Sequence, residues 1–245
     1  MSEREMHIAC APGEIAPAVL LPGDPGRVAR MATQLDDARE IAASREFTTV
    51  TGITGGVPVT ITSTGVGAPS TSIAVEELWN LGARLFIRVG TCGGIQDATR
   101  SGDLVIATGA VRGDGTSPEY IDLAYPAVAD PDVTVALRAA AVERGETPHV
   151  GVVRTHDAFY VESLLARGDY RRRVQPWRDA GVLAIENEAA ALFVIASLRG
   201  ARAGAICAVA GELYGMEPGR LPPSRPERVD VATAVALAAV RALAG

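Results

Sequence analysis

The chain is expected to fold as an α/β protein with a largely parallel or mixed sheet covered on both faces. Three observations predict this. Short apolar runs of strand length alternate with longer helical patterns along the chain. Glycine-rich turns separate several of those runs from the helices that follow. With 245 residues, 48% hydrophobic and 21% charged, the composition is that of a soluble globular protein with a sizeable core.

The first strand is the apolar run 18–21, which breaks at Pro22-Gly23-Asp24-Pro25. A helix follows over 26–34, with Asp24 placed to cap it and Pro25 near its first turn. Residues 57–63 form the next strand-like run, and 70–81 the next helical pattern. The strand predicted over 85–89 is apolar except for Arg88, which closes the run just before a turn at 90–94. Further strands are predicted over 104–110, 150–155, 182–186 and 203–209. Helical patterns cover 132–143, 170–180, 189–198 and 229–244. The stretch 211–226 is rich in Gly, Pro and charge, and reads as a loop and a candidate flap over a site. No linker, repeat or low-complexity segment divides the chain, so one domain over 1–245 is expected.

Charge and cysteine usage exclude several classes. A net charge of −6 argues against a nucleic-acid surface, while leaving room for a small cationic pocket. No apolar run approaches the length that spans a bilayer. The N-terminus MSEREMHIAC lacks the basic-then-apolar pattern of a signal peptide, so a cytoplasmic protein is expected. Cys10, Cys92 and Cys207 show no CxxC or histidine spacing and read as buried free thiols.

Two segments carry arginine beside open glycine turns. LLPGDPGR puts Gly23 at a strand's carboxyl end and Arg27 one turn into a helix. RVGTCGG puts Arg88 at another strand end. Backbone N–H groups without a Cβ in the way, next to a guanidinium, suit an oxyanion such as phosphate. One such turn alone is equally a plain βα turn. Glu186 and Glu188 in AIENEAAAL share one face if the backbone is extended there, with Asn187 on the other. They are an acid/base pair or a capping pair for the helix at 189. Phe159 and Tyr160 in THDAFY are core aromatics or a wall against a ligand.

With these segments in hand, the chain resembles the nucleoside phosphorylase family that includes uridine phosphorylase and the hexameric purine nucleoside phosphorylases. The resemblance runs from about His7 to the last helix. It is densest in LLPGDPGRV, SREFTTVTG, STGVGAPSTSIAVEELWNLG, RVGTCGGIQ, GDLVIATGAVR, AVAD, DAFY and IENEAAALF. SREFTT and GAPSTSIAVEEL are particularly similar to uridine phosphorylase. The resemblance implies a three-layer α/β/α sandwich with a central mixed, partly barrel-like sheet. It implies phosphate held by Gly23, Arg27, Arg88 and Thr91, with Arg45 reaching across from a neighbouring subunit. Ribose would meet Glu188, Glu186 and Asn187, with His7 lent by the neighbour. Cys92, Gly93, Phe159, Tyr160, Ser163 and Gly211 would face the base. Glu46 and Ser70 match a monovalent-cation site, so potassium is a candidate, as is a simple Glu–Ser hydrogen bond. No cofactor is implied. Shared sites imply a dimer at least, and the family suggests a hexamer of three dimers.

Some positions depart from the family's patterns. Asn187 stands where methionine is usual. Gly211 stands where purine phosphorylases carry the aspartate that protonates the base. Glu212, one residue along, is a candidate substitute, although a one-residue shift in extended chain reverses a side chain's direction. Ser163 and Leu165 stand where uridine phosphorylases read uracil with glutamine and arginine. Glu162 and Arg167 lie close by in sequence and are candidates to reach the base. The expected activity is phosphorolysis of a uridine-like nucleoside to base and pentose 1-phosphate, with Arg88, Glu188 and Glu212 as catalytic candidates. A purine or 5′-modified purine nucleoside with an altered base site is the alternative, and a non-catalytic nucleoside-binding protein the second. A nucleoside hydrolase is disfavoured by the retained arginines, and a dinucleotide enzyme by the lack of GxGxxG between a strand and a helix.

Overall fold

The computed structural model describes residues 4–220, 222–223 and 225–244. Among them the chain forms ten strands and seven helices. They are β1 (Ala18–Leu21), α1 (Pro25–Ala32), β2 (Asp36–Ser44), β3 (Phe47–Thr54), β4 (Val57–Thr62) and α2 (Ala68–Asn80). Then come β5 (Leu85–Gly94), β6 (Leu104–Gly113), α3 (Ser117–Tyr120), β7 (Ala127–Val128), α4 (Pro131–Glu143) and β8 (His149–His156). The chain ends with α5 (Tyr170–Asp179), β9 (Ala184–Glu186), α6 (Ala189–Leu198), β10 (Arg202–Glu212) and α7 (Pro226–Ala244).

The strands form one mixed sheet in the order β10-β6-β8-β9-β5-β1-β4-β3-β2, with β7 beside β6. β10 also pairs with β5, so β5, β10, β6, β8 and β9 close into a five-stranded barrel at one end. The other end stays open at β2. Along β1, Val19 and Leu21 face one core while Ala18 and Leu20 face the other. A strand buried on both faces must read as an unbroken apolar run, which is why AVLL was legible. α2 and α6 cover the first face, with Leu78 and Phe193 packed among Val19 and Phe86. α1, α4 and α7 cover the second, with Val28, Leu137 and Val235 against Leu20, Ile61 and Ile106. The three layers and the partly closed sheet are as expected. No helix among the described residues is long and apolar enough to cross a membrane.

Two expectations need correction. β5 does not end at Arg88, and 90–94 is not a turn. Gly93 and Gly94 pair with Gly211 and Glu212 of β10 on one side and with Ile185 and Ala184 of β9 on the other. Glycine is needed there for space: a Cβ on Gly94 would lie 2.7 Å from the Thr99 carbonyl oxygen, and one on Gly93 would lie 2.5 Å from Leu213 Cδ1. These glycines let barrel strands and their neighbours crowd together. The β2–β3 hairpin was also not anticipated. β2 reads DDAREIAAS and is mostly exposed, so it offers no apolar alternation to detect.

Phe86 is fully buried in β5 and faces Val19 of β1 and Ala203 of β10 in register. Phe86→Ala should lower unfolding free energy by about 3–5 kcal/mol, read from urea denaturation, because the cavity lies between three strands that cannot collapse freely.

Candidate active site

Arg88 is at the centre of the site. It leaves β5 and is only 5% exposed. Its Nε donates to Glu186 Oε2 at 2.9 Å, and its Nη2 faces Glu188 Oε2. Gly90 makes room for the guanidinium, since a Cβ there would lie 2.8 Å from Arg88 Cζ. Burial by itself would lower the Arg88 pKa, but Glu188 and Glu186 outweigh it and hold it above its ordinary value.

The two glutamates divide the roles left open above. β9 stops at Glu186, and the chain bends before α6. Glu186 caps the helix: its carboxylate accepts from the N–H groups of Glu188 and Ala189, both at 2.9 Å to Oε2. The Thr155 hydroxyl also donates to Glu186 Oε1, at 2.5 Å, and itself accepts from Ala190 N–H at 2.9 Å. Burial raises the Glu186 pKa, with Arg88 opposing and Glu188 adding to the rise. Glu188 caps nothing with its side chain. Its Oε1 accepts the Gly67 N–H at 2.7 Å, at the start of α2. Its Oε2 meets Arg88 as an ion contact and accepts no aligned hydrogen bond. Asn187 points elsewhere, donating to the His156 carbonyl.

The glycine turns converge on the same place. Asp24 caps α1 by accepting from Gly26 N–H at 2.8 Å, as its position predicted. Gly23 lies against the Gly65 turn, where a Cβ would stand 3.1 Å from the Gly65 carbonyl oxygen. A cleft of about 460 Å³ opens between these elements. Gly23, Arg27, Arg88 and Thr91 line it, as do Glu186, Asn187 and Glu188. So do Cys92, Gly93, Phe159, Ser163 and Gly211.

Other candidates lie elsewhere. Tyr160 is exposed and stacks edge-on to Phe159 at 5.3 Å between ring centres. Glu212 is a correction: it does not line the cleft, but pairs with Arg100 at 2.8 Å and accepts the Ser101 N–H. Those two contacts, the Ser101 N–H first, hold its carboxyl below the ordinary range, the wrong direction for a proton donor. His7 binds Glu77 through its backbone N–H and its ring Nδ1, and Arg45 sits exposed at the β2–β3 turn with φ of +56°. Neither lines the cleft of its own chain. Glu46 and Ser70 flank Gly65, but the Ser70 hydroxyl donates to the Val66 and Gly67 carbonyls instead of Glu46. All three cysteines are buried and unpaired.

Several cleft residues were not found from the sequence. Pro222, Pro223 and Arg225 of the loop predicted over 211–226 line it, while Leu221 and Ser224 lie outside the described residues. A loop's spacing carries no signal for which side chain faces inward. His156, which the sequence did not mark, lines it too, as does Glu162, which it did. Arg154 grips Glu162 from Nε at 2.8 Å and Nη2 at 3.1 Å, and the His156 Nδ1 stands 3.7 Å from the same carboxylate. Burial lowers the His156 pKa against the pull of Glu162.

A family model described as the Phosphorylase superfamily matches residues 17–244. The chain belongs to that superfamily. The uridine phosphorylase of Thermococcus kodakarensis is 48% identical over 211 residues, 84% of this chain and 76% of the relative. The guanosine phosphorylase of Halorubrum lacusprofundi is 43% identical over 246 residues, 98% of this chain and 99% of the relative. A crystal structure of uridine phosphorylase from Vibrio fischeri superposes with a TM-score of 0.89 at 32% identity, covering 98% of each chain. This phosphorylase is therefore a nucleoside-splitting, phosphate-dependent pentosyltransferase.

Two outcomes test the network. Glu186→Ala should cost this phosphorylase about 3–5 kcal/mol in chemical denaturation, because it removes a helix cap and leaves half of Arg88 unpaired. His156 favours the fold as a neutral imidazole. That contribution is complete above the ordinary value of 6.5 and is lost as pH falls through the lower folded value. Unfolding free energy should therefore fall as pH drops below 6.5, and His156→Gln should flatten that part of the profile.

Proposed function

We propose that the cleft binds inorganic phosphate and a nucleoside together and transfers the pentose from base to phosphate. The observation that supports this best is the convergence of Arg27, Arg88 and the Gly23 turn on one cleft beside Glu186 and Glu188. Phosphate lies against Gly23, Arg27, Arg88 and Thr91. Arg88 turns Nε and Nη2 to the glutamates, which leaves Nη1 for an anion. The phosphate oxygen attacks the anomeric carbon as the glycosidic bond breaks. Positive charge grows on the sugar ring, and the adjacent dianion stabilises it. Glu188, on the cleft wall, accepts a ribose hydroxyl through its carboxylate. Binding both substrates in one orientation supplies much of the rate, with no covalent enzyme intermediate. Water in place of phosphate would make the arginines redundant, which disfavours a hydrolase.

His7 and Arg45 support a shared site, since each lies away from its own cleft. A dimer is then the smallest active unit, and a hexamer of three dimers fits the family. Glu46 and Ser70, beside Gly65 near that interface, are where a potassium ion would sit.

The base is the point of departure. Relatives bear both uridine and guanosine names. Uridine fits the body of the chain, but Ser163 and Leu165 offer no bidentate contact to a uracil edge. The guanosine reading is supported by a relative that aligns almost end to end.

Incubation of the pure protein with a nucleoside panel, with and without phosphate, should give free base and pentose 1-phosphate only when phosphate is present. Base release at the same rate without phosphate would overturn the proposal. Arg27→Ala, on a half-exposed side chain, should raise KM for phosphate about tenfold or more with the fold intact. Arg45→Ala and Glu188→Gln should each be nearly inactive. Mixed and allowed to exchange subunits, they should recover about a quarter of wild-type activity, since one intact site forms in each mixed dimer. No recovery after proven exchange would rule out sharing of Arg45.

A further inference from the structure

We propose that Arg154, which does not itself line the cleft, is a positioning residue for the wall that meets the nucleoside, and that it acts by gripping Glu162. This rests on the phosphorylase reading above.

The wall is the segment between β8 and α5, with Phe159, Glu162, Ser163 and Leu164 on the cleft. It is built of turns and bends, so its place depends on side-chain ties and not on a ladder of strand bonds. The strongest tie is charged. Arg154 donates to both oxygens of Glu162, from Nε at 2.8 Å and Nη2 at 3.1 Å, and the two side chains are only 11% and 9% exposed. A fork of this kind fixes direction as well as distance. It uses up the side-by-side face of the carboxylate, so Glu162 serves as an anchor for the wall. The fork is itself immobilised. Its guanidinium lies over the Trp177 ring of α5 at 4.4 Å, and a Cβ on Gly113 of β6 would collide with it. Three elements, β6, β8 and α5, therefore hold the arginine that holds the wall.

Leu164 provides the second anchor. Its carbonyl accepts the Gly219 N–H at 2.7 Å, and its side chain packs with Tyr170 and Val174. Ser163 stands between the two anchors, buried yet on the cleft. Its place is thus set by Glu162 on one side and Leu164 on the other. The phosphate end is built separately. Gly23 and Arg27 follow β1, and β9 and β5 stand between β8 and β1 in the sheet. Loosening Glu162 shifts the nucleoside wall and leaves the Gly23 turn where it is, so the two substrates should respond differently.

The test is steady-state kinetics with uridine and with guanosine, each against inorganic phosphate. The proteins are wild type, Arg154→Lys, Arg154→Met, Glu162→Met and the double variant Arg154→Met/Glu162→Met. Lysine keeps the charge but can neither fork nor stack. In Arg154→Lys the nucleoside KM should rise about tenfold, with kcat within about threefold and phosphate KM within about twofold of wild type. The double variant separates positioning from stability. Each single Met change strands a buried charge, and the double change strands none, so its urea midpoint should return toward wild type. Its nucleoside KM should stay raised about tenfold, no further than in either single variant, because one device has been broken once. An unchanged nucleoside KM in Arg154→Lys, an equal rise in both KM values, or a wild-type nucleoside KM in the double variant would overturn the inference. If wild type forms no pentose 1-phosphate, calorimetric binding of the same two nucleosides without phosphate keeps the two readings apart. Binding about tenfold weaker to Arg154→Lys then sinks the phosphorylase reading and leaves the wall reading standing. Equal binding to both proteins sinks the wall reading as well.

Discussion

The buried contact of Arg88 with Glu186 and Glu188 is the constraint around which this molecule is organised. Charges taken out of water must find partners, and here the partners come from distant parts of the chain. Arg88 comes from β5, Glu186 from the end of β9, and Glu188 from the bend before α6. Thr155 of β8 and Gly67 at the start of α2 complete the set. Two carboxylates face one guanidinium, so the group has an excess of negative charge. The N–H groups at the start of α6 offset part of it, because a helix N-terminus carries partial positive charge. The same contacts that close the barrel against the helices thus also set the electrostatics of the cleft.

Much of this was legible because physics leaves few alternatives. Strands buried on both faces must be apolar throughout, and β1 announces itself that way, as does the LFI run that opens β5. Asp24 and Pro25 announce the start of α1. Other features left no local trace. β2 is charged and exposed because its place in the sheet needs no apolar side, so nothing in DDARE marks it as a strand. The glycines of 90–94 look like turn formers in sequence; only the neighbouring strands reveal that they are there for want of space. Glu186 and Glu188 were visible as a pair, but not which one caps and which one is free. Glu212 was plausible by proximity in sequence, yet β10 delivers it to Arg100.

The cleft also divides its labour unevenly. Arg88 comes from within β5, and Arg27, Gly23 and the two glutamates come from strand ends and helix starts, where backbone geometry dictates position. The opposite wall comes from the segment after β8 and the loop before α7, where side-chain identity can change without disturbing the sheet. Ser163 and Leu165, where the sequence departs from the uracil-reading pattern expected from the resemblance to uridine phosphorylase, lie in the segment after β8. Gly211 belongs to this pattern as well: a Cβ there would approach Pro222 at 3.1 Å and Leu164 Cδ1 at 3.3 Å. The loop before α7 thus occupies the space that a side chain at this position would need.

The half-closed sheet has a consequence for how copies of this chain avoid one another. An open sheet has two margins, each a row of unsatisfied backbone groups ready to recruit a foreign strand. Barrel closure removes one of them. Among the described residues, and apart from the two-residue β7, that leaves β2 as the one long margin. It is guarded by Asp36, Asp37, Arg39 and Glu40, four charges among its first five residues. Asp37, with φ of +51°, interrupts the strand's regular extension at that point. Charge and an irregular backbone at this border both oppose strand addition.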